Sequence, residues 1–213
     1  MSGREAQLVA RLAALRQQVA QRDPAVLARN TGSVFDEGCF YLPYWGRQIW
    51  IEFPTLIGRD DLSERPLDTV DQAMLAYYFV EADGSALTDR WISFSELPDG
   101  QFYTQAFQSY SGAELARQIG PDYAGFAQAA RRVGGRPEPF ADSAFAFLVL
   151  PRVALLAACW EGDEEFPPSY RLLFDAAAGR HLTTDACAIL GSSLTRRLLG
   201  AYRELQRPDQ PPT

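Results

Sequence analysis

Residues 144–160, AFAFLVLPRVALLAACW, form the most apolar run in the chain. The run is 17 residues long, and Pro151 with Arg152 interrupts it. A membrane span needs about 20 apolar residues, so the run reads instead as two strands, 145–150 and 153–160, flanking a turn. A third strand follows at 170–174. Upstream, residues 40–44, then Gly46-Arg47, then 48–53 read as a β-hairpin rich in aromatic and branched residues.

Between these two strand groups the spacing is helical. Leu8, Leu12, Leu15 and Val19 recur on one face near the start. Asp23 with Pro24 starts a short second helix, and residues 30–32 end it. Residues 54–65 read as a loop. Residues 68–82 form the next helix, with Val70, Met74, Tyr77 and Tyr78 on one face and Asp83-Gly84 closing it. Leu97-Pro98-Asp99-Gly100 is a turn in which Gly100 is expected to take the positive φ. Residues 102–109 are helical. Ser111 and Glu114 predict a capping box for a further helix that Gly120-Pro121 ends. Asp122 caps the next, and Gly134-Gly135 stops it. Thr184 is expected to cap the last long helix, whose face is Leu190, Leu194, Leu198, Tyr202 and Leu205. Strands early and late, with helices between, predict an α+β fold in which an antiparallel sheet is covered by helices. With 213 residues, one globular domain over 1–206 is expected. Its helical N-terminal segment is 1–30, and a proline-rich disordered tail follows from 207.

Composition excludes much chemistry. All 20 basic residues are arginine, which removes lysine Schiff bases, pyridoxal-phosphate enzymes and the P-loop lysine. A single histidine, His181, rules out His₂ and His₃ metal sites within one chain. Cys39, Cys159 and Cys187 are too few for a four-cysteine cluster, and they read as reduced thiols of a cytoplasmic protein. The N-terminus lacks the apolar stretch of a signal peptide. A net charge of −7, spread along the chain, disfavours nucleic acid as a partner. There is no dinucleotide glycine signature. Neither a metal nor a cofactor is indicated.

Four stretches carry a family resemblance: WISFSELPDG at 91–100, LPRV at 150–153, WEGDEEFPP at 160–168, and LLFD at 172–175 running on to LTTD at 182–185. In these, and in their spacing, the chain resembles the bacterial and archaeal family called Domain of Unknown Function 3786. The likeness extends back to about Arg29. Its most specific piece is the acidic block. The resemblance implies no activity. Some relatives resemble fusions to a cysteine-rich iron–sulfur segment, which implies a module serving anaerobic redox or corrinoid-linked proteins. This chain departs there, because its three scattered cysteines cannot hold such a cluster.

Candidate binding residues follow from chemistry. Glu161, Asp163, Glu164 and Glu165 read as a solvated loop, a docking surface for a basic partner, or a cation site without EF-hand spacing. Arg152, inside the apolar run, reads as an internal ion pair with Asp142, Asp163 or Asp175, or as a fork for an anionic ligand. Asp175, Trp91 and Trp160 join this set as neighbouring carboxylate and aromatic surface. Cys187 with His181 is the one activated-thiol candidate, because a helix N-terminus lowers a thiol pKa. The alternative is an apolar helix cysteine and a surface-turn histidine. Asp83, Asp89 and Glu96 add further carboxylates without favouring a pair. The leading expectation is a non-catalytic binding or accessory module for a partner protein or small anion. The alternative is an enzyme with carboxylate acid/base groups and Arg152 as anion binder. Aromatic edge strands need cover, which a homodimer would give.

Overall fold

The computed structural model describes residues 3–207. Beyond residue 207, the expected disordered tail lies outside the described residues. The chain is α+β, and its contacts divide it into two compact units. The first runs to Thr88 and takes in Leu148–Val153 and Ala177–Ala186. The second comprises Asp89–Phe147, Ala154–Ala176 and the remainder from Cys187.

In the first unit, α1 (Gly3–Ala20) buries Leu12, Leu15 and Val19 at the expected spacing. It packs against α3 (Thr69–Glu81), and the Arg11 side chain donates to the Tyr77 hydroxyl there. Helix α2 (Pro24–Thr31) begins as read: the Asp23 carboxylate accepts the Ala25 N–H, and Pro24 occupies the first turn. Strands β1 (Val34–Asp36), β2 (Cys39–Tyr44), β3 (Arg47–Glu52) and β4 (Ile57–Asp60) form an antiparallel sheet in that order. The β2–β3 connection is the pair Trp45 and Gly46, with φ 51° and 73°. Positive φ at both residues gives a two-residue turn the twist its strands require. Phe40, Leu42, Tyr44, Ile49 and Ile51 alternate inward and are buried. Strand β4 falls within the residues expected to be loop. Only four residues long and half-buried, it lacks the apolar alternation that marks a strand. Helix α3 (Thr69–Glu81) is capped by Asp68, and Tyr44 donates from its hydroxyl to Asp71 on it at 2.7 Å.

A five-stranded antiparallel sheet, in the second unit except for Leu148–Val153, has the order β5 (Trp91–Ile92), β9 (Ser169–Asp175), β8 (Val153–Trp160), β7 (Ser143–Leu150), β6 (Arg136–Pro137). Strand β5 (Trp91–Ile92) leads through a 3₁₀ turn at Phe94–Glu96 to α4 (Thr104–Tyr110), α5 (Gly112–Ile119) and α6 (Tyr123–Arg132). Then come β6 (Arg136–Pro137), β7 (Ser143–Leu150), β8 (Val153–Trp160), β9 (Ser169–Asp175) and the closing helix α7 (Thr184–Leu205). The early hairpin and the late strand group thus each have their own sheet. The apolar run 144–160 is the β7–β8 hairpin, and β8 is buried along nearly its whole length. One face of the sheet carries Phe145, Leu155, Tyr170 and Phe174, with Phe126 of α6 edge-on to Phe145 and Tyr170. The other carries a cluster of Ala144, Leu156, Ala158 and Leu173, against which Trp91 and Trp160 pack. Burying each large apolar side chain stabilises by about 1.5–3 kcal/mol, so β8, central and two-faced, anchors this unit.

Three local expectations change. Ser111 is buried, its hydroxyl donating to the Phe107 carbonyl at 2.5 Å, while Glu114 pairs with Arg117. The predicted capping box is therefore not formed. A serine–glutamate pair forms instead at Ser93 and Glu96, whose carboxylate accepts from both the N–H and the hydroxyl of Ser93. Thr184 lies inside α7, and the Thr183 hydroxyl one residue earlier accepts the Ala186 N–H. Finally, Asp99 rather than Gly100 takes the positive φ, 58°.

Candidate functional site

A half-open cleft of about 340 Å³ lies within the second unit, where β9 meets the 3₁₀ turn and α4. That volume is at the small end of ligand clefts, which run from about 300 to 1,000 Å³. Its floor is apolar: Phe94 and Phe107 stack at 4.3 Å with rings 9° apart, and Leu172 and Leu173 adjoin them. Its polar lining is Ser93, Ser95, Thr104, Gln108, Ser169 and Arg171. Ser93 shares a 2.7 Å hydrogen bond with Ser95, and Thr104 donates to the Gly100 carbonyl. Gln108 donates from Nε2 to the Tyr170 carbonyl at 3.0 Å, which ties α4 to β9. Behind Ser93, the Glu96 carboxyl is held below its ordinary pKa, chiefly by the Ser93 N–H and then by the Ser93 hydroxyl. Arg171 is exposed, and its guanidinium lies over the Trp160 ring, 5.8 Å from the centroid. Among the described residues it has no carboxylate within ion-pair distance. A guanidinium left open beside hydroxyls is suited to carboxylate or phosphate oxygens.

Residues 23–197 match the model of a family described as Domain of unknown function (DUF3786). The chain belongs to this family. No curated protein and no solved structure matches it. The DUF3786 match takes in the whole cleft.

The residues singled out from sequence divide among several places. Trp91, Trp160 and Asp175 do share one face of the second sheet with Arg171: Trp91 pairs with Asp175 across β5–β9, and Ser169 with Trp160 across β8–β9. The acidic block is a loop folded on its own backbone. Asp163 accepts the N–H groups of Glu165 and Phe166, each at 2.8 Å, and these hold its carboxyl below the ordinary value. Glu161 donates its N–H to Asp142 at 2.9 Å. Glu161, Glu164 and Glu165 are exposed. Among the described residues no three His, Cys, Asp or Glu side chains group as a metal site. No helix among them is long and apolar enough to cross a membrane.

Arg152 lies in the turn where the sequence places it, but among the described residues it is not paired with Asp142, Asp163 or Asp175. It sits in the two-residue turn at the tip of the β7–β8 hairpin and belongs to the first unit. Its guanidinium donates to the Arg29 carbonyl at 3.0 Å and the Ser85 carbonyl at 3.3 Å. The two terminal nitrogens are held by main-chain carbonyls while Nε is buried without a partner, so Arg152 acts as a tie between the end of α2 and Ser85. Gly32, at φ 69°, lets α2 end against Pro151 there; a Cβ would meet the Pro151 Cβ at 3.1 Å.

The thiol–imidazole reading also changes. His181 is fully buried rather than on a surface turn, with Asp83 at 3.9 Å from Nδ1 and the Tyr78 ring beside it. Cys187 is buried, and burial pushes its thiol up to about 12, the opposite of activation.

Arg171 was missed in the sequence reading. The signal was present: one charged residue in Tyr-Arg-Leu-Leu-Phe, an otherwise apolar strand, points to the face opposite Tyr170 and Leu172.

Proposed function

We propose that this DUF3786 chain is a recognition module for an anionic ligand, with the β9–α4 cleft as its site and Arg171 in the role first given to Arg152. The open guanidinium of Arg171 at the rim of a hydroxyl-lined cleft carries this reading. The Ser93, Thr104 and Gln108 donors are engaged within the chain, so what the cleft offers a ligand is the Arg171 guanidinium, the Ser169 hydroxyl and an apolar floor. The carboxylates that an acid/base reading would use are engaged elsewhere: Asp142, Asp163 and Asp175 each accept a backbone N–H. The acidic loop offers a second surface, with Glu161, Glu164 and Glu165 around the exposed Phe166, a composition suited to a basic partner protein. Three free cysteines fit a reducing cytoplasmic setting.

The test is titration of the isotope-labelled chain with inorganic phosphate and with acetate, followed by amide NMR. Amides of Ser93, Ser169 and Arg171 should shift together and saturate. Arg171→Gln should weaken binding about tenfold, the scale of one charge-assisted contact, and Arg152→Gln should leave it unchanged. Binding that survives Arg171→Gln intact, or falls only with Arg152→Gln, would sink the proposal.

A further inference from the structure

The outward face of the first unit's sheet gathers aromatic rings and carboxylates. Phe40, Leu42, Ile49 and Ile51 point inward and are buried, and a Cβ on Gly58 would meet Leu75 of α3 at 3.2 Å on that side. The alternate residues face out. Strand register sets them in two rows: Val34, Tyr41, Trp50 and Arg59 in one, Asp36, Cys39, Glu52 and Ile57 in the next. Val34 is 65% exposed, Tyr41 and Trp50 are half-buried, and Asp36, Glu37 and Glu52 are exposed. The Arg59 guanidinium lies over the Trp50 ring, 5.7 Å from its centroid, and donates to the Glu64 carbonyl. Tyr41, on the other side of Trp50, has no such cation over its ring among the described residues. Negative charge surrounds it. The Tyr41 hydroxyl is pushed above its ordinary pKa, first by burial and then by Cys39, Asp36, Glu37 and Asp61. The Cys39 thiol is pushed up by burial, then by Glu52 and Glu37. A cross-strand pair of Tyr and Trp stabilises a hairpin by itself, which accounts for the rings. It does not account for carboxylates gathered round them, since like charges on one face repel.

We propose that this open face docks an extended, arginine-bearing segment of a partner protein, with one guanidinium over the Tyr41 ring and a second, two residues along, between Asp36 and Glu52. Arg59 on Trp50 makes within the chain the contact that Tyr41 would make with the partner. Alternate side chains of an extended segment lie about 7 Å apart, the same interval as the two rows. Arginine stacks on an aromatic face and meets carboxylates with a planar fork, whereas lysine offers a point charge. An aromatic sheet face is also a platform for single-stranded nucleic acid, but that platform needs a basic groove for the phosphates, and this rim is acidic. The same rim repels a small anion, so this surface is separate from the Arg171 cleft and stands or falls without it.

The experiment titrates the isotope-labelled full chain with acetyl-Gly-Arg-Thr-Arg-Gly-amide and follows amide and indole N–H signals. Those of Tyr41, Trp50 and Glu52 should shift together and saturate. Replacing both peptide arginines by citrulline, which keeps the shape and removes the charge, should weaken binding about tenfold. Replacing them by lysine should weaken it about threefold. Tyr41→Thr and Glu52→Gln should each weaken the arginine peptide about threefold, with the remaining amide signals in place to show that the fold is kept. A thymidine tetranucleotide should leave all these signals where they are. No shift at about 10 mM arginine peptide, a citrulline peptide that binds equally well, or shifts confined to Glu161, Glu164 and Glu165 overturns the proposal. Shifts with the tetranucleotide overturn it in favour of nucleic acid. Shifts of the same signals on concentrating the chain alone overturn it in favour of a second copy.

Discussion

Replacing Gly100 by alanine should destabilise the chain, although Gly100 needs no glycine-only conformation. Its φ is outside the left-handed region that Asp99 occupies. The constraint is contact. A Cβ at position 100 would fall onto the Phe94 carbonyl oxygen and lie 3.0 Å from the Phe94 carbonyl carbon. These are backbone atoms and cannot swing aside. The Phe94 carbonyl also accepts the Leu97 N–H at 3.2 Å, and its ring is stacked on Phe107. Overpacking of this kind costs about 1–3 kcal/mol, and separating an aromatic pair about 0.5–1.5 more. Alanine recovers about 0.5–1 through lower unfolded-state entropy. The net expectation for Gly100→Ala is a loss of about 0.5–4 kcal/mol. Asp99→Gly should stay within about 0.5 of zero, because relief of the left-handed φ and glycine's greater entropy offset one another. Urea unfolding followed by tryptophan fluorescence reads both: the midpoint should fall for Gly100→Ala at unchanged slope. A Gly100→Ala midpoint equal to wild type, or an Asp99→Gly loss larger than that of Gly100→Ala, refutes the argument.

Three further outcomes are expected. Tyr170→Phe removes the 2.8 Å bond from the Tyr170 hydroxyl to the Gly120 carbonyl at the end of α5 and should cost about 1–2 kcal/mol by the same unfolding assay. Cys187 stays protonated in the fold well above its usual pKa near 9, so the folded state binds the extra proton. Its contribution is whole below pH 9 and is lost as pH rises towards about 12; Cys187→Ala should flatten that alkaline decline, and thiol labelling of the native chain at pH 8 should spare this residue. Arg152→Gln should lower stability by about 1–2 kcal/mol through its lost bonds to Arg29 and Ser85, and equal stability would show the tie to be incidental.

The elements with strong periodicity were legible from sequence: α1, the β2–β3 hairpin, the β7–β8 hairpin and the face of α7 all lie where their apolar spacing puts them. Two aspartate caps, Asp23 and Asp122, were legible too, since one side chain decides each. Strand β4 was not, because its pairing with β3 comes from tertiary position rather than from its own residues. Ser111 misled because burial gave its hydroxyl a closer acceptor than the helix start. Arg152 misled more seriously: its turn was legible, but its acceptors are the main-chain carbonyls of Arg29 and Ser85, distant in sequence, rather than a carboxylate. The cleft depends on where β5 stops relative to β9, and no single stretch of sequence encodes that difference in strand length.

The first compact unit is assembled from three stretches separated in sequence, the last of them ending at Ala186. Its internal bond from the Trp45 N–H to the Val149 carbonyl already joins two of those stretches. During synthesis, residues through Thr88 leave the ribosome with most of their apolar positions present but without their closing pieces. About 100 more residues must be added first, which at about 5–20 residues per second is a wait of roughly 5–20 s. For that interval the nascent chain exposes apolar surface that only later translation can cover, so its yield in a cell should depend on chaperone supply more than its finished size suggests.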